Sequence, residues 1–479
     1  MIGDATGQGY AFVEQDSGVD ARIEELMRDG LGLQDAIRIC LINNPTLLAA
    51  FRNVGIARAD VVQSGLFSNP TLGLLFQFPE GGGRSKIEVG LAQNIVDLWQ
   101  IPIRKRVAQA GLNQAILDLA MSAAELVADT KTAYSAAVAN AQILVINEEN
   151  LKITQQLLQA AEDRERAGRA SLVDVNLARE PVLTARVRVH NARLDSNNSK
   201  RRLAILLGLS APAETLSLTE PLPSPPESTI SVAQMLEIAT STSFDLRAAE
   251  AAVEEAVFRV QDEYRKVFPN IEIGLAFERT DSRALPGRNI LADTARASVA
   301  NGALTAPEIE SRGQRNIERR QIIDSLLGPT VQLTVPIFDQ NQAQIAKARY
   351  QLEQAEKTRV SVERALIQNV RRAVDSAETA WEVARLYEKE LVPQAQTTLE
   401  LSRESYRAGR TSLIVVLEAQ RDLLEVRQAG VAALQNAALA VAELERLIAR
   451  PLASLIETTT RPSAPSTSRE NKVNGGHVP

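Results

Sequence analysis

One segment of this chain occurs twice, 241 positions apart, and this duplication constrains the fold more than any other feature. Residues 165–186 and 406–427 align without a gap and are identical at 10 of 22 positions. Each copy carries a glycine followed three residues later by a serine, Gly168 and Ser171 in the first and Gly409 and Ser412 in the second. Similarity at a fixed spacing indicates tandem duplication of one structural unit.

Long helices are predicted on both sides of each copy. Roughly 60 residues from about Ile103 to Arg166 contain no proline and are rich in Ala, Gln, Leu, Glu and Arg, which corresponds to a helix of about 90 Å. Gly168 fits a helix stop and Ser171 the N-cap of a returning helix. The predicted helices are 103–166, 171–207, 341–407 and 412–450. Pro181 and Pro393 fall inside them and predict kinks or breaks.

Four short segments alternate strictly between apolar and polar residues, as half-buried strands do. The predicted strands are 71–78, 86–95, 270–278 and 331–337. The periodicity leaves two interpretations open, a sheet packed on helices or strands of membrane-crossing length. A four-stranded sheet has two open edges, which lipid cannot satisfy, so in a membrane several chains would have to close one barrel.

The remaining segments complete two similar halves. Shorter helices are predicted at 33–64 and 232–267, ahead of each strand pair, and the Pro-rich residues 209–231 predict an extended linker. We expect a flexible segment at 1–30, a first repeat at 31–208 and a second repeat at 232–456. The second repeat carries a surface loop at 279–328, with a helix near 312–326, and residues 457–479 are expected to be disordered.

Composition excludes several classes of protein. A formal net charge of −6 argues against a nucleic-acid partner, and the single cysteine, Cys40, excludes an internal disulfide. No run of 18 uncharged apolar residues predicts a transmembrane helix. Residues 1–20 lack the basic start and apolar centre of a secretory signal, which leaves open a cytosolic protein or an N-terminus that is processed, truncated or mis-started.

The order of these elements resembles that of the TolC family of outer-membrane efflux channels. The resemblance covers about residues 30–455 and rests on spacing and on several short motifs. These motifs are Leu33-Gln34-Asp35-Ala36-Ile37, Asn43-Asn44-Pro45, Ser68-Asn69-Pro70-Thr71-Leu72 and the two Ala-Gly-Arg turns.

The resemblance implies a fold that is mainly α with a membrane β-barrel. It implies a homotrimer in which tandem-duplicated long helical hairpins form a periplasmic α-barrel and four strands per chain contribute to a shared 12-stranded barrel. The channel would sit in outer-membrane lipid, extend into the periplasm, and dock on a periplasmic adaptor and an inner-membrane pump. The face expected to line a wet lumen carries polar side chains. They are Thr71, Gln77, Lys86, Glu88, Asn94, Glu272 and Thr334.

In the family the tunnel closes at the hairpin tips, and by position an acidic constriction would map onto Asp174, Val415 and Glu418. Val415 stands where an acid is expected, so the double acidic ring is incomplete. Two roles are open for Asp174, the gate or a capping box with Ser171. Arg169 and Arg410 are either gate latches or solvated loop charges. The candidates for adaptor contact are Gly168, Ser171, Leu172, Gly409, Ser412 and Leu413.

We expect no catalysis, cofactor or metal centre. His190 and His477 join no cluster with ligand spacing, and neither a phosphate-binding glycine loop nor a nucleophile motif is present in the sequence. Two alternatives to the channel remain, a periplasmic adaptor and a soluble coiled-coil scaffold. An adaptor would have one hairpin flanked by β domains, and a scaffold would leave the four strands unexplained.

Overall fold

A computed structural model describes residues 19–78, 85–210, 212–227, 229–281, 299–302, 323–452 and 455 of the 479. The described chain is mostly helical, with four strands. The helices are α1 (Val19–Met27), α2 (Leu33–Asn43), α3 (Pro45–Ser64), α4 (Asp97–Arg166), α5 (Leu172–Leu206), α6 (Val232–Thr242), α7 (Phe244–Arg265), α8 (Gln342–Leu386), α9 (Val392–Arg407) and α10 (Leu413–Ile448). The strands are β1 (Thr71–Gln77), β2 (Lys86–Asn94), β3 (Asn270–Asp281) and β4 (Ile323–Thr334).

The chain divides into two compact units that do not coincide with the two repeats. One comprises residues up to Ile56, Asn113–Ala251 and residues from Glu356 onward, and we call it the helical unit. The other comprises Ala57–Leu112 and Ala252–Ala355 and contains all four strands, and we call it the sheet unit. Each unit draws on both repeats, because each repeat contributes strands to one unit and most of a helical hairpin to the other.

The sheet is antiparallel throughout, in the order β1-β2-β3-β4. Side chains of like character align in rows, since Leu74 pairs with Val89, Val89 with Phe277, and Phe277 with Leu327. The predicted alternation is therefore confirmed, with one apolar face formed by all four strands.

The fourth strand begins earlier than the alternation predicted. β4 starts at Ile323, and β3 extends to Asp281, so both ends of the expected 279–328 loop belong to strands. The predicted helix near 312–326 is wrong over residues 323–326, and its remainder lies outside the described residues. β4 runs through Gly328 and Pro329, and within the described chain it is an edge strand, where proline is tolerated.

Each short helix predicted before a strand pair is in fact two helices. The first divides at Asn44, whose side-chain oxygen accepts hydrogen bonds from the Thr46 and Leu47 backbone amides at 2.9 and 3.2 Å. Pro45 also disfavours helical backbone at the residue before it. The second divides at Ser243, the corresponding position of the second repeat.

The prolines inside the long helices affect the helical backbone differently. Before Pro393 the chain forms a π-helical turn over Tyr387–Leu391, which accommodates the missing backbone donor. α5 runs through Pro181 without a break, because the flanking Ala178 and Val182 are buried and hold the helix in place. α4 starts at Asp97, ahead of the predicted Ile103, and includes Pro102.

The main core lies in the helical unit, around α2 and the middle of α4. Within the expected flexible segment 1–30, α1 forms a helix whose Ile23 is buried in this core. The linker crosses the same core, and Leu216 and Leu222 are buried there. Cys40 is fully buried, and burial raises the pKa of its thiol to about 12, so it is an unreactive core residue.

Candidate functional site

The two hairpin tips have the same backbone geometry. Gly168 and Gly409 adopt left-handed φ angles of +69° and +71°, which glycine tolerates without strain. In each tip the next residue's amide donates back into the helix at 2.8 Å, from Arg169 to Arg164 and from Arg410 to Ser405. Both glycines therefore end a helix with the turn that the sequence predicted.

The caps that follow these glycines differ. The Ser171 amide and hydroxyl donate to the Asp174 carboxylate, both at 2.9 Å, and the Asp174 amide donates back to the Ser171 hydroxyl at 3.2 Å. These bonds complete a capping box and lower the pKa of Asp174. Ser412 makes no side-chain capping bond, and Val415 stands where the first tip has its acid.

Charged gate candidates lie on the surface of the helical unit. Arg169, Arg410 and Glu418 are exposed, and none of them forms an ion pair among the residues that the structure describes. The capping role of Asp174 is confirmed, and this leaves its carboxylate occupied by Ser171.

The two leucines proposed as adaptor contacts differ in exposure. Leu172 is 68% exposed at the first tip, whereas Leu413 is only 5% exposed. Leu413 packs in a cluster with Ala161, Val175 and Ala178, so it joins the second tip to the first hairpin. Nearby, the Arg164 guanidinium lies 4.6 Å from the centroid of the Tyr406 ring, which is a second contact between the repeats.

A buried polar connection between the hairpins was not predicted. Arg403 donates to the Gln420 side-chain oxygen at 2.9 Å, and the Gln420 amide donates to Asn150 at 3.0 Å. In the repeat alignment Arg403 and Gln420 correspond to Glu162 and Arg179, which form an ion pair at 3.8 Å. Comparing charged positions between the repeats would have indicated this contact.

The predicted lumen residues share one face of the sheet, opposite the apolar rows. On that face Lys86 forms ion pairs with Glu88 and Glu278, which lie directly opposite each other on β2 and β3. Asn94 donates to Asn270 at 2.6 Å near the other end. This face therefore carries charged and amide groups, together with Leu75 and Leu326, which lie opposite Glu88 and Glu278.

Between these polar groups lies a row almost without side chains, which we call the glycine row. It crosses all four strands and consists of Gly73, Gly90, Ala276 and Gly328. A Cβ at Gly90 or Gly328 would have no atom within 4 Å, so packing does not require glycine there. Glycine weakens a strand interior, and its presence here leaves space above the sheet.

A second unpredicted feature holds the start of α4 in the sheet unit. Asp97 accepts hydrogen bonds from the Ser68 amide and hydroxyl, both at 2.7 Å, and pairs with Arg104 at 3.2 Å. Burial raises the pKa of Asp97, but the bonds from Ser68 and Arg104 outweigh it and lower that pKa overall. In the Ser68-Asn69-Pro70 motif before β1, the serine therefore binds the Asp97 carboxylate at the start of α4.

The described residues lack both a metal-binding cluster and a helix suited to crossing a bilayer. No group of three or more His, Cys, Asp or Glu side chains in this part of the chain could hold a metal ion. None of its helices has the length and apolar character needed to cross a bilayer.

Sequence comparison decides the family. The profile of the outer membrane efflux protein family matches residues 36–209 and 235–450, which include both helical hairpins and all four strands. The chain belongs to the outer membrane efflux protein family. Members of this family are transport channels without enzymatic activity, so the expectation of a non-enzyme is confirmed. The adaptor and scaffold alternatives are both wrong, because neither class belongs to this family.

Individual proteins similar to this chain are consistent with its family membership. The cobalt-zinc-cadmium resistance protein CzcC of Cupriavidus metallidurans is 21% identical over 92% of this chain and 96% of its own length. Among solved structures, CusC superposes with a TM-score of 0.67 at 16% identity, over 87% of this chain and 91% of the other. The Campylobacter jejuni outer membrane channel CmeC gives a TM-score of 0.67 at 14% identity, over 94% and 97%. The efflux channel fold predicted from the sequence is thus confirmed.

Proposed function

We propose that this chain is the outer-membrane channel subunit of a tripartite efflux system. A periplasmic adaptor and an inner-membrane pump deliver substrates to it, and a homotrimer of the chain releases them outside the cell. The observation that carries the proposal is the sheet, which has an exposed apolar face, a polar face and two open edges. Family membership supports the efflux role.

The apolar face of the sheet is suited to lipid. Leu74, Phe277 and Leu327 lie in one row and are all exposed. Large contiguous apolar surfaces on a protein usually mark contact with a membrane or another protein. An outward apolar face with an inward polar face is the pattern of outer-membrane barrels.

The two edge strands of the sheet need strand partners from further copies of the chain. β1 and β4 each have a single strand neighbour within the described chain, and an unpaired edge cannot remain in hydrocarbon. Three copies joined edge to edge would provide twelve strands and close the barrel. Such a barrel would place the glycine row and the ion pairs of Lys86 around its lumen.

A face of α5 in the helical unit also favours contact between copies. Leu183, Val187 and Leu194 are exposed along one side of this helix, whereas Val182 and Val189 are buried on the other. Leu and Val in a stripe at helical spacing normally face another surface. In the proposed trimer this stripe contacts the neighbouring copy.

We assign gating and docking to the two tips. Glu418 contributes one carboxylate per copy to a ring of three, and such a ring attracts cations. Arg169 and Arg410 serve as latch candidates beside Asp174. Leu172, with Gly168, Ser171, Gly409 and Ser412, presents the adaptor-contact surface, and the buried Leu413 supports it from beneath.

The cargo of the system is set by the pump. CzcC is named for resistance to cobalt, zinc and cadmium, so divalent metal ions are one cargo that this channel could carry. A polar lumen of barrel width passes what it receives, and therefore the channel need not select the ion.

Conductance in planar lipid bilayers tests this function. Purified full-length protein should give long-lived, uniform current steps, and their complete absence would contradict the channel proposal. Glu418→Ala should lower cation selectivity, measured as a shift in reversal potential under a salt gradient. Glu404→Ala, which removes an exposed carboxylate from α9, is the control. Unchanged selectivity in Glu418→Ala would remove Glu418 from the gate but would leave the channel function standing.

A further inference from the structure

The helical unit contains a cavity of about 630 Å³ that the efflux function does not explain. It lies between the middle of α4, the linker, the π-helical turn and α10. Its walls are largely apolar and include Val145, Ile146, Val431 and Leu434. Small-molecule sites in proteins typically have volumes of roughly 300–1,000 Å³ and mostly apolar walls, with a few polar groups that orient the ligand.

Two local features of the sequence create this space. The π-helical turn at Tyr387–Leu391 widens the helix and places Glu388 on the cavity wall. Opposite it lies Gly430, where a Cβ would stand 3.6 Å from the Tyr387 Cβ and 3.7 Å from the Val392 Cγ2. Those distances are ordinary van der Waals contacts that an alanine could make, so packing does not require glycine at this position. Glycine in place of alanine inside a helix costs about 1 kcal/mol of stability. Single π-helical turns occur frequently at functional sites.

The charges around the cavity favour a cation. Arg427 also lines it, but its guanidinium bonds the Glu149 carboxylate on α4 at 2.9 Å. Glu220 accepts the Leu33 backbone amide at 3.2 Å. Glu388 receives only a long hydrogen bond, 3.4 Å, from the Ser224 hydroxyl, and it has no cationic partner among the described residues. Glu388 is exposed at the edge of this apolar surface, and neither Glu388 nor Glu220 has a cationic partner among the described residues, so the charge at the cavity is negative.

We propose that this cavity binds a hydrophobic organic cation. Its apolar body would lie against Val145, Ile146, Val431 and Leu434, and its positive charge would lie beside Glu388. A hydrophobic anion of the same size would meet the uncompensated carboxylate and bind less well. The proposal uses only residues of the helical unit and does not depend on the chain forming a channel.

Two ions of nearly equal size and shape but opposite charge provide the probe. Tetraphenylphosphonium and tetraphenylborate would be equilibrated with the purified full-length protein in detergent, by dialysis against protein-free micelles. The proposal predicts saturable binding of the phosphonium at one site per chain, at least about tenfold tighter than that of the borate. A tenfold difference corresponds to about 1.4 kcal/mol. Equal affinities, or no saturable phosphonium binding, would overturn it.

Variants locate the bound cation. Glu388→Gln should weaken phosphonium binding about tenfold, and Val145→Trp should abolish it by filling the mouth of the cavity. Val145 is 52% exposed, so the larger side chain does not disturb the core. Glu390→Gln, which changes an exposed carboxylate two residues away that does not line the cavity, is the control and should bind normally. Unaltered binding in both test variants would contradict the proposal.

Discussion

The side-chain amide of Gln420 donates a hydrogen bond to the Asn150 side-chain oxygen at 3.0 Å, and both residues are buried. The bond joins α10 of the second repeat to α4 of the first. The Arg403 guanidinium of α9 donates to the Gln420 side-chain oxygen at 2.9 Å. Three helices from two repeats are therefore held in one register by a single polar chain, since a buried amide is costly to leave unpaired.

Removing one side chain from the Arg403–Gln420–Asn150 hydrogen bonds should destabilise the protein. Asn150→Ala leaves the buried Gln420 amide without its acceptor, at a cost of about 1–3 kcal/mol. The triple variant Arg403→Leu, Asn150→Leu and Gln420→Leu should lose less, because it leaves none of the three hydrogen-bonding side chains unpaired. Thermal unfolding in detergent, followed by circular dichroism at 222 nm, measures the effect. Arg193→Ala, which breaks an exposed ion pair with Glu148, is the control, and an equal loss there would contradict the account.

The two tips should differ in local stability, because only the first has a capping box. Ser171→Ala should cost about 1 kcal/mol locally and speed amide exchange in the first turn of α5 about fivefold. Val415→Asp should slow exchange at the start of α10 by building the missing box, whereas Val415→Leu should not. Hydrogen exchange with mass spectrometry resolves both peptides. Equal exchange in the Asp and Leu variants would show that Ser412 cannot cap this helix.

Acid should loosen the first tip selectively. The pKa of Asp174 is lowered in the folded state by the Ser171 hydrogen bonds, so its contribution is present above the unfolded pKa. That contribution is lost as the pH falls through the lowered folded pKa. The second tip carries Val415 and should show no such step in exchange. Parallel loss of protection at both tips would contradict this assignment.

Asp97 should act as a stability determinant of the sheet unit. Asp97→Asn keeps the shape but removes the charge that Ser68 and Arg104 bind, at a cost of about 1.5–3 kcal/mol. The wild-type protein should lose this contribution as the pH falls through the lowered folded pKa of Asp97, and the variant should lack that dependence. Thermal unfolding across a pH series measures both. Asp60→Asn, at an exposed position of α3, should behave like wild type.

The glycine row should control conductance rather than stability. Gly90→Val and Gly328→Val place side chains where no atom lies within 4 Å, and valine favours strands by up to about 1 kcal/mol. Each variant should therefore be at least as stable as wild type and yet carry smaller single-channel currents. Val89→Leu adds volume to the opposite face as the control. Currents reduced as much by Val89→Leu would indicate that the polar face does not line the lumen.

Much of the fold could be predicted because its signals are local or repeated. Gly168 and Gly409 marked the hairpin tips, and the alternation at Leu72, Leu74 and Phe76 fixed the apolar face. The start of β4 at Ile323 could not be predicted from the alternation, since it is pairing with β3 that carries the strand through Gly328 and Pro329. Contacts between distant positions were also missed. Asp97 binds Ser68 29 residues away, and Gln420 binds Asn150 270 residues away.

Three copies of this chain should form one hollow channel. Electron cryomicroscopy of the full-length protein, exported to the membrane and extracted in detergent, tests it most directly. We expect three-fold particles of three 52.1 kDa chains, with twelve strands closed edge to edge and the glycine row facing a continuous lumen. Monomers, or assemblies in which β1 and β4 of different chains do not pair, would contradict it.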